Sequence, residues 1–144
     1  MQVKEILHSR KILTIGMDLT LLDAREFMAA RRINHVPVVD ETGRLAGLLT
    51  KHIVDRNISP NIGSLREKSA DRDTLETKIH LVMNRTPKVV ALDTEIADAA
   101  DILAARKATC LLVINENRRF VGIITIVDLL RCLAKLTRRV ETAS

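Results

Sequence analysis

The apolar residues of this 144-residue chain recur with two different periods, and the change from one to the other happens twice. Leu21, Ala24 and Met28 follow helical spacing, as do Ile96, Ala99, Ala100 and Leu103 further on. A short β-prone run precedes each helix, Ile12–Ile15 or Lys88–Ala91, and two more follow it, His35–Val39 with Leu45–Leu49 and Cys110–Ile114 with Phe120–Ile124. Between the paired runs stand Asp40, Glu41, Thr42 and Gly43, or Asn115, Glu116, Asn117 and Arg118, which predict hairpins. Thr20 with Asp23 spells a capping box for the first helix, and Thr94 predicts an N-cap for its counterpart. A further helix follows Thr50 and Thr125. In the second instance Ile126, Leu129, Leu130 and Leu133 make a wide apolar stripe, which needs the other repeat or a second subunit as cover.

Laid against itself, the chain matches at one offset without a gap, Ile12–Arg56 on Pro87–Arg131, with Gly47 falling on Gly122. Identities include Asp18/Asp93, Asp23/Asp98, Arg31/Arg106, Val38/Val113 and Thr50/Thr125. One supersecondary unit therefore occurs twice, and each is too small to bury its apolar face alone. The expected class is α+β, a tandem repeat of β-α-β-β-α motifs packed with pseudo-two-fold symmetry. Expected boundaries are 1–58 for the first motif, 59–78 for a linker with a helix, 79–137 for the second motif and 138–144 for a polar tail.

Composition narrows the chemistry. Phe27 and Phe120 are the only aromatic residues, so Ile, Leu, Val and Ala build the core and the stacking platforms of single-strand nucleic-acid binders are missing. The formal charge of +5 favours anions weakly, and its densest group, Arg131, Lys135, Arg138 and Arg139, reads as a solvated helix end suited to the dipole. No nucleic-acid partner is expected. No run is apolar for long enough to cross a bilayer, and no leader pattern opens the chain, so a cytoplasmic protein is expected. Cys110 and Cys132 sit inside apolar patterns and read as core residues, not as a disulfide or a metal site. His8, His35, His52 and His80 are scattered, and no nucleophile–base pair, phosphate loop or HExxH occurs, so no enzyme, no catalytic residue and no bound metal is expected.

The order strand, helix, two strands, helix, given twice, resembles the CBS-domain pair, or Bateman module. Asn34-His35-Val36-Pro37-Val38-Val39-Asp40 with Gly43 and Gly47-Leu48-Leu49-Thr50 resembles the family's strand, turn and glycine-hydrophobic-hydrophobic-threonine signature. Gly122-Ile123-Ile124-Thr125-Ile126-Val127-Asp128 resembles it more fully, terminal aspartate included, and Leu81-Val82-Met83 leads into this second copy. The resemblance implies regulation by an adenosine-containing ligand, AMP, ADP, ATP or S-adenosylmethionine, held in a cleft between paired motifs. It also implies a homodimer, and it requires no catalytic cofactor.

On this resemblance Thr125 meets the phosphate or ribose, and Asp128 accepts from the ribose hydroxyls, as an acceptor-only carboxylate can. Thr125-x-x-Asp128 is also a capping box, worth about 1 kcal/mol through the cap. The two roles are compatible. The adenine slot is expected between Thr86, Lys88 and Val89 and the strand start Thr109, Cys110 and Leu111. His35 and Thr50 are weaker candidates for phosphate contacts, with burial and helix capping as their plain alternatives. In the first copy Ile53 stands where Asp128 stands in the second, and Asp55 falls on another helix face, so two unequal clefts are expected. Two functions follow: a regulatory nucleotide-binding module, or a ligand-free dimerisation or protein-interaction scaffold, its protein partner unidentified.

Overall fold

The computed structural model describes residues 1–7, 12–106 and 108–143. Its elements are β1 (Ile15–Gly16), α1 (Leu21–Arg31), β2 (His35–Val39), β3 (Leu45–Thr50), α2 (Lys51–Asn57), α3 (Ser69–Asp73), β4 (Val89–Ala91), α4 (Ile96–Arg106), β5 (Cys110–Ile114), β6 (Phe120–Thr125) and α5 (Ile126–Ala143). They form two compact units, Leu13–Pro87 and Met1–Ile12 with Lys88–Ser144. Each unit holds a three-stranded sheet, ordered β1-β2-β3 or β4-β5-β6, with one parallel and one antiparallel pairing. The expected repeat of an α+β motif is thus present twice.

The sequence offset is also a structural register. Val38 pairs with Gly47 and Val113 with Gly122, and both hairpins carry a register shift one residue later, between Val38 and Val39 or Val113 and Ile114. Where the copies differ, a residue explains it. Leu112 donates its N–H to the Lys88 carbonyl at 2.9 Å, but its counterpart Pro37 has no N–H to give, and β1 is one residue shorter than β4. In the hairpin turns the Asp40 and Asn115 side chains play one part, each Oδ1 accepting from the backbone two residues on at 2.8 or 2.9 Å. Gly43 and Arg118 share the left-handed conformation there, at φ 82 and 59, which a glycine adopts freely and an arginine does not.

At the helix starts, Thr20 and Asp23 exchange the two bonds of the expected capping box, at 3.0 and 3.2 Å. The Thr94 cap is corrected: α4 begins at Ile96, and the Thr94 Oγ1 instead accepts from the Ala91 N–H at 3.1 Å, closing the turn after β4. The helix of the linker is only α3, followed by 3-10 turns at Thr74–Glu76 and Ile79–Leu81. Helix α5 continues through residues 138–143, set apart above as a polar tail.

Each unit is completed by a segment from far along the chain. In the unit of β1-β2-β3, Ile79 donates to the Leu19 carbonyl at 2.8 Å and His80 to Met17 at 3.1 Å. In the unit of β4-β5-β6, Val3 donates to Thr94 at 2.8 Å and Lys4 to Leu92 at 2.9 Å. These arms are a second repeat, Val3-x-x-Ile6-Leu7 matching Ile79-x-x-Val82-Met83. Val3 and Ile79 are fully buried, each burial worth about 1.5–3 kcal/mol. The arms pass so close to the third strands that a side chain beneath them would force a shift. A Cβ on Gly47 would stand 2.7 Å from the Asn84 carbonyl oxygen, and one on Gly122 2.6 Å from Leu7 Cδ2.

Gly47→Ala will therefore cost about 1–3 kcal/mol in chemical unfolding, because a backbone oxygen must retreat, and Gly122→Ala will cost less, because a leucine side chain can turn away. Arg118→Gly will stabilise the protein by about 0.5–1 kcal/mol through relief of the left-handed residue, read as a rise in melting temperature.

Candidate functional site

Helix α5 starts where β6 ends, and the junction presents the sharpest candidate pair. Asp128 Oδ2 accepts from the Thr125 N–H at 2.9 Å and from its hydroxyl at 3.0 Å, while the Asp128 N–H donates back to Thr125 Oγ1 at 3.3 Å. This is the capping box, formed in full. It also holds a carboxylate at the positive end of an 18-residue helix, in a place only 6% exposed, the one buried charged side chain among the described residues.

The sheet gathers several other candidates at the same end. Cys110 pairs with Thr125, and the Thr109 carbonyl accepts from the Ile126 N–H at 3.4 Å. The Lys88 carbonyl accepts from Leu112, and Val89 is in register with it, so Lys88 just precedes β4 and Val89 opens it beside the middle of β5. Leu111 and Cys110 are buried, and burial pushes the Cys110 thiol up to about 11, which keeps it a neutral core group. Their side chains build the core, so a ligand would meet only their backbone. Thr86 is held by Asn84, its N–H donating to Oδ1 at 3.0 Å, and belongs to the other unit.

A cavity of about 260 Å³ brings Asp128 together with Arg131, Lys135 and Arg139 of α5 and with Glu5 and Ile6 of the amino-terminal arm. Val89 opens on a different cavity of about 600 Å³, with Lys4, Asp93 and Glu116. The basic residues at the first cavity were legible as a cluster, but not as neighbours of Asp128. Their spacing, 128, 131, 135, 139, is the signal, since steps of three or four keep one helix face. The arm residues gave no such signal short of the arm repeat itself.

In the other unit the corresponding junction is built differently. Thr50 Oγ1 accepts from the Ile53 N–H at 3.1 Å, so it caps α2, and it pairs across the hairpin with His35. Ile53 packs against the core, and Asp55 turns outward to an ion pair with Lys51 at 2.7 Å. His35 is half-buried, and loss of solvent holds its imidazole below the usual histidine range, so it is neutral near pH 7 and carries no fixed charge toward a phosphate. His8 lies outside the described residues. No cluster of metal-ligating side chains exists among the described residues, and none of their helices is long and apolar enough to cross a membrane.

Comparison with known proteins agrees with the geometry. The CBS domain profile matches residues 3–59 and again 78–135. A CBS domain-containing protein of Dictyostelium discoideum is 29% identical over 144 residues, covering 99% of this chain and 97% of that protein. Two longer archaeal relatives are matched over only 37% and 19% of their lengths. Among solved structures, CBSX2 in complex with AMP superposes with a TM-score of 0.78 at 20% identity, covering 94% of this chain and 98% of that one. A CBS domain pair in complex with 5′-methylthioadenosine and S-adenosyl-L-methionine gives 0.75 at 24% identity, covering 94% and 97%. Two matched copies, two sheets in one register and a full threonine–aspartate junction in the second place this chain in the CBS domain family, as a tandem pair.

Proposed function

We propose that the chain is a regulatory module that binds an adenosine-containing ligand through the unit that carries Asp128, and that binding alters its affinity for a protein partner or its oligomeric geometry. The observation that carries this reading is the buried Asp128 carboxylate, fixed by Thr125 and bordered by Arg131, Lys135 and Arg139 around one cavity. A carboxylate that only accepts suits a ribose diol, and neighbouring cations suit phosphate. CBS pairs solved with AMP and with S-adenosyl-L-methionine support the ligand class. On this reading Thr125 meets the ribose or phosphate. Lys88 and Val89, with the backbone of Thr109, Cys110 and Leu111, form the adenine wall. Ligand binding is a regulatory step and calls for no catalytic cofactor.

The unit of β1-β2-β3 lacks the acceptor, since Ile53 takes the aspartate's place and Asp55 is engaged by Lys51. That difference favours, as a second reading, a ligand-free scaffold in which both units serve only to hold the chain and a partner together.

Isothermal titration with AMP, ADP, ATP and S-adenosylmethionine separates the two. The regulatory reading expects saturable heat with at least one of them and a loss of affinity of about 10- to 100-fold in Asp128→Ala, the scale of one hydrogen bond to a charged group. Thr50→Ala, which removes a cap from the other unit, is expected to lower the melting temperature and leave that affinity unchanged. No heat from any of the four at millimolar concentration, with the wild-type protein folded, sinks the reading in favour of the scaffold.

A further inference from the structure

The unit of β1-β2-β3, which lacks the aspartate, has a cavity of its own. It measures about 360 Å³ and lies between α1 and α2. Met28, Ile33 and Val54 give it an apolar lining, and its charged residues are Arg25, Arg32, Lys51 and Asp55. Asp55 is engaged by Lys51 at 2.7 Å, whereas neither Arg25 nor Arg32 has an ion-pair partner among the described residues. Three cations against one carboxylate leave the cavity with an excess of positive charge.

The stability of the helices does not explain these residues. Arg32 ends α1 in the left-handed conformation, at φ 53 and ψ 44, where glycine is the usual occupant. Lys51 is the first residue of α2, where the helix dipole disfavours a cation, and Asp55 stands in its last turn, where the dipole disfavours a carboxylate. A lysine four residues ahead of its acidic partner is also the weaker order for such a pair. The motif does not demand these charges either, because at the repeat offset Arg25, Lys51 and Asp55 correspond to Ala100, Ile126 and Leu130. One strained residue and two charges set against the dipole, all around one cavity, are a departure from local consistency of the kind that binding sites carry.

We infer that this cavity binds a small amphiphilic anion, with a carboxylate or phosphate head and an apolar body. Arg25 and Arg32 take the head, since a guanidinium fork matches either group with two parallel hydrogen bonds. Met28, Ile33 and Val54 receive the body, whose transfer from water supplies affinity that a bare anion lacks. The volume falls at the small end of ligand cavities, which suits a metabolite and not a macromolecule. This site lies in the unit without Asp128, and the inference does not rest on nucleotide binding.

Isothermal titration of the full chain with hexanoate and with hexyl phosphate tests it, with acetate and inorganic phosphate as heads without a body and hexanol as a body without a charge. At least one of the two amphiphiles is expected to bind saturably at millimolar concentration, and more tightly than its bare head or the alcohol; the tighter of the two identifies the head group. Arg25→Gln and Arg32→Gly are each expected to weaken that binding by about tenfold or more, the scale of a hydrogen bond to a charged group. Arg32→Gly is expected at the same time to raise the melting temperature, because glycine relieves the left-handed residue, so its loss of binding cannot come from unfolding. Arg66→Gln, which removes the same charge from the exposed linker, should leave the affinity unchanged. The inference is overturned if neither amphiphile binds, if acetate, phosphate or hexanol binds as tightly, or if the two cavity variants keep wild-type affinity.

Discussion

Everything in this molecule depends on two strands of chain crossing a sheet edge at van der Waals distance. In the unit of β1-β2-β3 the crossing is explicit: Leu48 and Asn84 exchange both backbone hydrogen bonds at 2.9 Å, directly over Gly47. The third strand would otherwise end the sheet with unpaired donors and acceptors. The arm that covers it also delivers Ile79 and Met83 to the core. In the other unit Val3 enters the core in the same way and Leu7 stands over Gly122. A CBS motif of this chain is thus not a self-contained segment. Its sheet is local, but its lid comes from elsewhere.

Much of this was legible in the residues. The repeat, the hairpins, the Thr20 capping box and the Thr125–Asp128 junction all rest on contacts within a few residues or across a tight turn, where spacing and side-chain chemistry decide the outcome. The Thr94 cap failed on a local competition, because a turn after β4 takes the same hydroxyl. The arms escaped for a different reason. Their apolar spacing repeats at an offset one residue longer than the motifs do, so an ungapped comparison runs past them, and nothing local says which sheet they cover. The cavity at Asp128 escaped with them, since part of its wall is the amino-terminal arm.

The two copies show how far chemistry can diverge on a retained frame. Pro37 against Leu112 removes one ladder bond, Gly43 against Arg118 shifts a turn from relaxed to strained, and Ile53 against Asp128 exchanges a core contact for a buried carboxylate. None of these disturbs the pairing within the two hairpins, because register is held by the bulge after Val38 or Val113 and by the glycine opposite. The side chains at the helix starts are free to differ, and it is there that the units part company, one presenting a salt bridge and the other an acceptor beside cations.

The crossing arms also impose an order on how the protein comes into being. Residues 13–87 form a contiguous unit, so as the chain emerges from a ribosome that unit has all its parts once Met83 and Asn84 are out. The unit bearing Asp128 is different: its arm, Val3 to Leu7, comes before residues 13–87 in the chain and its sheet comes after them. The arm must wait, with its apolar residues uncovered, while some eighty residues are added and the first unit closes. The long loop then has to be shut at an entropic cost that grows slowly with length. The unit that carries the buried Asp128 therefore closes only after the contiguous one has all its parts.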